Sequence, residues 1–314
     1  MKKLKMICVC LSIILSMSLM SGCLLGLLYS LTPESEAETE LTSPENITDA
    51  PEYTGQIPDG MKAEYVLVYE KKTLSNNDIT EYTYEYDEQG RLSFKTESCL
   101  PELTKTEYFY DDNGNIMKEV SEFEEMPRFK QNDPEVIYEY NEKGLLVSRT
   151  SSGDTILYTY NENDDLIREE HWDYVIDYTY ENGVLVSSFL EETVSGITTE
   201  ITYDGNGNEI QLINKTKSQT YKTIFVYDDS NNITHKEKWE GNKLILKYDA
   251  VYTYDGAGNI LKEEAFYEDE TSSFEASTTY YYEGHGLLLY VEEKVNDEIS
   301  TITEYRYDVI LVPA

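Results

Sequence analysis

Tyr108-Phe-Tyr110-Asp111-Asp-Asn-Gly114-Asn-Ile116 decides the fold, because each position in it has a mechanical meaning. Tyr-x-Tyr places two rings on one face of a strand, since side chains alternate with period two. Asp111 can hydrogen-bond backbone amides just ahead of it and open a turn. Gly114 supplies positive φ, so a type I turn closes through a bulge. Ile116 starts a return strand with alternating apolar residues. The unit reads as a β-hairpin.

The same unit recurs along the chain. Before it stands Tyr84-Glu-Tyr86-Asp87-Glu-Gln-Gly90-Arg-Leu92. After it come Tyr138-Glu-Tyr140-Asn141-Glu-Lys-Gly144-Leu-Leu146 and Tyr158-Thr-Tyr160-Asn161-Glu-Asn-Asp164-Asp-Leu166. A shortened copy, Tyr178-Thr-Tyr180-Glu181-Asn-Gly183-Val-Leu185, is followed by Ile201-Thr-Tyr203-Asp204-Gly-Asn-Gly207-Asn208-Glu-Ile210. Then come Phe225-Val-Tyr227-Asp228-Asp-Ser-Asn231-Asn-Ile233, Tyr252-Thr-Tyr254-Asp255-Gly-Ala-Gly258-Asn-Ile260 and Tyr280-Tyr-Tyr282-Glu283-Gly-His-Gly286-Leu-Leu288. Tyr305-Arg-Tyr307-Asp308 opens a tenth copy that does not finish. The second tyrosine is present in all ten copies, while copies are spaced 20 to 30 residues apart. A fixed motif with elastic spacing means hairpins joined by variable loops. Asp164 and Asn231 replace the glycine with residue types that tolerate the left-handed region.

These copies resemble the YD-repeat, or Rhs-repeat, family, whose signature is Tyr-Asp followed by Gly-Asn and an aliphatic residue. The resemblance spans about residues 65–308. It implies an all-β chain of tandem hairpins forming a long coiled antiparallel sheet. The run Asp308-Val-Ile-Leu-Val312-Pro-Ala314 shows no toxin segment after the repeats, so the resemblance implies a bare repeat strip. About twenty strands are too many to stay flat, so the strip should curl. Stability is expected to be modular, so that truncation before Phe266 leaves the remainder folded.

Composition fits such an array. The 314 residues include 29 Tyr against 8 Phe and 2 Trp. With 61 acidic and 25 basic residues the formal charge is -36, which argues against nucleic acid and anionic lipid surfaces.

The sequence divides at residues 22 and 60. Residues 1–22 read as a lipoprotein signal peptide, with Lys2, Lys3 and Lys5 ahead of an apolar run. Leu19-Met20-Ser21-Gly22-Cys23 resembles a bacterial lipobox, which makes Cys23 the expected lipidation site, palmitate-type chains included, and holds the protein at a membrane. The alternative is an uncleaved signal anchor over residues 6–31. Both place the rest in the cell envelope, outside the cytoplasm. Residues 23–60 form the lipid anchor and an acidic, Pro-punctuated tether that cannot offset its ordering entropy. Residues 61–314 are the repeat domain.

Chemistry is harder to find. His171, His235 and His285 fall in different copies with no zinc spacing, and His285 reads as a solvated turn residue. His171 beside Trp172 reads as a strand-end pair, and Cys99 as an incidental thiol. Asp204-Gly-Asn206-Gly-Asn208 fails the calcium-loop template at Glu209 and Lys215. No catalytic, cofactor or metal site is expected. The tyrosine stripe has two readings, rings packed between hairpins or a ladder for glycan rings. The structural one predicts that Tyr110, Tyr227 and Tyr254 are buried. Ligand contacts are expected in the variable loops 122–133 and 268–274. The functional expectation is a non-catalytic binding or scaffold surface for an extracellular glycan or protein. A carbohydrate-active enzyme and a shell-like or immunity partner of a toxin system are the rivals.

Overall fold

The computed structural model describes residues 44, 50–52, 54–99, 102–124, 135–284 and 286–314. The leader, Cys23, most of the tether, His285 and most of the loop 122–133 lie outside the described residues.

Twenty strands follow one another. They are β1 (Met61–Leu74), β2 (Ile79–Tyr86), β3 (Leu92–Cys99), β4 (Glu102–Tyr110), β5 (Ile116–Glu124), β6 (Glu135–Tyr140) and β7 (Leu146–Ser151). Next are β8 (Asp154–Tyr160), β9 (Leu166–Glu170), β10 (Tyr174–Glu181), β11 (Val184–Glu192), β12 (Thr198–Tyr203), β13 (Glu209–Lys215) and β14 (Thr220–Tyr227). The last six are β15 (Ile233–Glu240), β16 (Lys243–Tyr254), β17 (Ile260–Asp269), β18 (Ser273–Tyr282), β19 (Leu288–Val295) and β20 (Glu298–Pro313). Each strand pairs antiparallel with the next, and β20 pairs with β1 from Met61↔Pro313 to Leu74↔Thr301. The sheet is therefore a closed 20-stranded barrel rather than an open coiled strip. Closure abolishes two long edges that an open meander would leave unpaired.

Closure is built from the repeat itself. In every complete copy the register slips by one residue just before the second tyrosine, as between Phe109 and Tyr110 or Thr253 and Tyr254. That bulge sets Tyr110 opposite Ile116 and Tyr254 opposite Ile260. The tenth copy shows the same slip: Tyr307 faces Leu67, Arg306 faces Tyr69, and Val68 is the extra residue. The tenth copy is thus completed by β1, the first strand of the domain. Closure bears on the expected modularity. A cut before Phe266 would remove the end of β17 and all of β18–β20, and leave β1 and the rest of β17 as bare edges.

The turns take the form the sequence implies. Gly114 N–H donates to Asp111 O at 3.0 Å, and Asp111 N–H donates to Asn115 O at 2.9 Å. Asp164 and Asn231 both sit at φ 66°, in the place of glycine. In the shortened copy Asn182 and Gly183 both have positive φ, which gives a two-residue type I′ turn. Gly90 is required twice over. Its φ is +78°, and a Cβ there would stand 2.5 Å from Val312 Cγ1. The far ends of β1 and β20 run on past the pairing with β2 as a two-stranded ribbon, and Val312 packs over that turn.

A barrel of this strand number has a wall circumference of about 100 Å and a diameter of at least about 30 Å. Among the described residues fifteen apolar and nine polar ones are buried, far fewer than the every-second-residue burial of a collapsed sandwich. All strand-to-strand contacts join sheet neighbours, and the wall does not fold onto itself.

Candidate functional site

The wall has two faces of different character. One carries the tyrosines and is the more buried, as the alternation in Glu135–Tyr140 shows. The other carries the residue between each tyrosine pair and is the more exposed.

On the tyrosine face the second ring of one copy reaches the copy before it. The Tyr110 hydroxyl donates to Leu92 O at 2.7 Å, Tyr140 to Ile116 O at 2.9 Å, and Tyr160 to Leu146 O at 2.8 Å. Tyr227 donates to Glu209 O at 2.8 Å. Each acceptor is the residue facing the preceding copy's second tyrosine. Tyr86 donates to Leu67 O at 2.7 Å, so the same bond runs across the closure. Copy eight departs: Tyr252 takes the Ile233 carbonyl at 3.1 Å, while Tyr254 bonds Asp228 Oδ2 at 2.6 Å. Tyr203 is buried beside Ser188 Oγ at 3.0 Å. Tyr110, Tyr227 and Tyr254 are half-buried rather than buried, because a hollow wall has no second layer to cover their rings. Tyr180, Tyr282 and Tyr307 occupy the matching strand positions and are half-buried too.

At one rim the motif acids cap their own turns. Asp87 Oδ1 accepts from the amides of Gln89 and Arg91, both at 2.9 Å. Asp111, Asp204, Asp228 and Asp255 repeat this with the second and fourth residues after them, and Asn141 and Asn161 do so without charge. For Asp111 the Asn115 side-chain amide, then its backbone amide, hold the carboxyl below the usual range. Gly144, Gly207, Gly258 and Gly286 all adopt positive φ at the turn ends.

One residue in this pattern was misplaced by reading the motif alone. Tyr203 faces Glu209, not Ile210, and the exposed Ile210 is the bulge residue. Glu209 occupies the aliphatic position of Ile116 and Ile260, and burial raises its carboxyl pKa.

His171 and His235 each lie beside an acid. His171 Nδ1 meets Asp173 Oδ1, and its ring lies 4.8 Å from Tyr174 and 5.7 Å from Trp172. His235 Nδ1 lies 2.6 Å from Asp249 Oδ1. Cys99 is an exposed free thiol. Among the described residues no group of three His, Cys, Asp or Glu is placed to hold a metal. The segment 268–274 is a tight turn rather than an open loop: Asp269 Oδ1 accepts from Thr271 and Ser272 amides, and Phe274 stacks on Tyr267.

The exposed face holds a depression of about 590 Å³. It crosses β16, β17 and β18, and Val251, Phe266, Asp249, Glu264 and Glu275 line it, with Asp297 at its end.

No protein-family model matches the sequence, and neither does any curated protein. Among solved structures the chain is similar to TcdB2-TccC3 without its hypervariable C-terminal region, at 13% identity over 71% of this chain and 14% of that one, TM-score 0.35. The Tc holotoxin pore of Photorhabdus luminescens gives 11% identity over 72% and 15%, TM-score 0.31. A porin-like protein from Bacteroides uniformis gives 12% identity over 77% and 97%, TM-score 0.35. The chain spans about a seventh of the length of the two toxin chains.

Proposed function

We propose that this chain is an exported YD-repeat lipoprotein whose barrel is a non-catalytic binding or scaffold surface in the bacterial cell envelope. One observation carries the reading. Tyrosine hydroxyls of the motif are engaged between consecutive copies, and its acids are engaged in their own turns. The repeated chemistry therefore builds the wall. What differs from copy to copy, and is left to meet a ligand, is the exposed face and the variable rim. Ten copies with one bulge position support the YD-repeat assignment. Ser21-Gly22-Cys23 supports the lipid anchor.

A binding screen of residues 61–314 against glycan and protein panels tests this. Saturable binding that is lost on substituting exposed-face residues is the expected result. Turnover of a carbohydrate substrate, with no stable capture, would contradict it. Fatty-acid labelling abolished by Cys23→Ala is the expected result for the anchor, and membrane retention of unlabelled full-length protein would replace it by the signal anchor.

A further inference from the structure

The depression on the exposed face is built around Phe266. Three strand phenylalanines carry a cation of the chain over the ring. Lys105 Nζ lies 4.1 Å from the Phe94 ring centre, Lys236 5.6 Å from Phe225 and Lys118 5.7 Å from Phe109. Phe266 carries none among the described residues. Its two cross-strand partners are both acids, Asp249 on β16 and Glu275 on β18.

The nearby lysines are already engaged. Lys247 holds Asp249 at 2.6 Å, and Lys262 holds Glu264 at 2.6 Å. Glu275 forms no ion pair among the described residues, and neither does Asp297. Lys294 holds its ion pair with Glu292 at 2.8 Å and interacts with Asp297 at longer range. Two backbone-linked hydrogen bonds set Asp297 beside the site: Asn296 N–H donates to Glu275 O at 2.8 Å, and Glu275 N–H donates to Asn296 Oδ1 at 3.2 Å. Val251, 68% exposed, and Phe266, 38% exposed, supply apolar surface among these acids and Lys262.

An aromatic face, the unpaired Glu275 carboxylate with Asp297 beside it, and an apolar strip suit the charged head and methylene stem of one long basic side chain. We propose that the depression seats a lysine or arginine side chain of a basic polypeptide partner. The proposal deepens the reading of the barrel as a binding surface and rests on it. Charge complementarity selects the occupant: a chain of formal charge -36 repels a second copy of itself and attracts a basic polypeptide.

The test is calorimetric titration of the full chain with a short peptide alternating glycine and arginine, beside the same peptide with glutamine for arginine. Phe266→Leu is expected to weaken arginine-peptide binding about three- to tenfold, the range of a partly desolvated cation–aromatic contact. Glu275→Gln is expected to weaken it comparably at an unchanged thermal midpoint, which covers the case of a poorly folding Phe266 variant. Phe189→Leu is the control. Phe189 is also flanked by two acids, Asp177 and Glu200, outside the depression, and should leave affinity unchanged. Equal losses at Phe189 and Phe266 would show that the contact is not particular to this depression and overturn the seat. So would equal binding of the glutamine peptide, preference for a glycan at this site, or no binding of the arginine peptide. The wider binding reading falls only if the glycan and protein screen also returns nothing.

Discussion

Replacing Tyr227 separates the bond made by the repeated tyrosine from the packing of its ring. Its hydroxyl donates to Glu209 O at 2.8 Å across the junction of two copies. A neutral hydrogen bond of this kind contributes about 1 kcal/mol. Tyr227→Phe deletes only that bond. Tyr227→Ala also empties the ring, which costs roughly 3–5 kcal/mol at a fully buried site. The ring here is half-buried, so about 2 kcal/mol is expected. For a domain of this size each kcal/mol moves the midpoint by about 2–4 °C. Scanning calorimetry should therefore show a fall of about 2–4 °C for Tyr227→Phe and about 4–8 °C for Tyr227→Ala. Glu85→Ala, on the exposed face, should move it by less than about 2 °C. Unchanged midpoints for both Tyr227 variants would refute the structural role and turn the tyrosine ladder into a ligand surface.

Three further outcomes follow from the site geometry. Glu209→Ile restores the aliphatic residue of the motif and should raise stability by about 1 kcal/mol at neutral pH. Because burial raises the Glu209 pKa, its unfavourable effect grows as pH rises, so the gain should shrink in acid denaturation midpoints. Asp111 has a lowered folded pKa, so its contribution is present above 3.8 and lost as pH falls through the folded value. Asp111→Asn keeps the amide acceptor and should flatten the acid limb of a urea-midpoint titration; an unaltered limb would contradict the capping role. Burial first, then neighbouring carboxylates, pushes Tyr227 and Tyr280 up to about 12, and burial followed by the Glu119 interactions does the same for Tyr138. Their contribution is full below pH 10 and lost as pH rises through about 12, so tyrosinate absorbance and unfolding should climb together over that window.

Much of this architecture is legible in the chain. Tyr-x-Tyr, the capping Asp or Asn and the positive-φ residue are local signals acting over a few residues, and they mark the hairpins at their true positions. Closure is not local. β1 contains Val66-Leu67-Val68-Tyr69 with no copy of the repeat's turn motif before it, so nothing nearby shows that it is the return strand of Tyr305-Arg-Tyr307. Only the pairing of residues hundreds of positions apart shows it. The misplaced Ile210 has a related cause. Hydropathy favours the isoleucine, whereas turn length fixes Glu209 opposite Tyr203. The depression at Phe266 was hidden for the same reason, since its acids come from three strands and a distant turn.

Closure is the central claim, and a cross-link tests it most directly. Lys71 and Glu304 face each other across β1 and β20 and form an ion pair at 3.8 Å. Paired residues of antiparallel strands lie within the Cα separation that a disulfide needs. In a chain starting at Leu41 with Cys99→Ser, Lys71→Cys and Glu304→Cys would supply the only two thiols. In the barrel they should oxidise rapidly to an intramolecular disulfide that raises the thermal midpoint. In an open twenty-stranded strip the two positions would lie up to about 90 Å apart. Free thiols persisting under mild oxidation of the folded, monomeric chain would contradict closure.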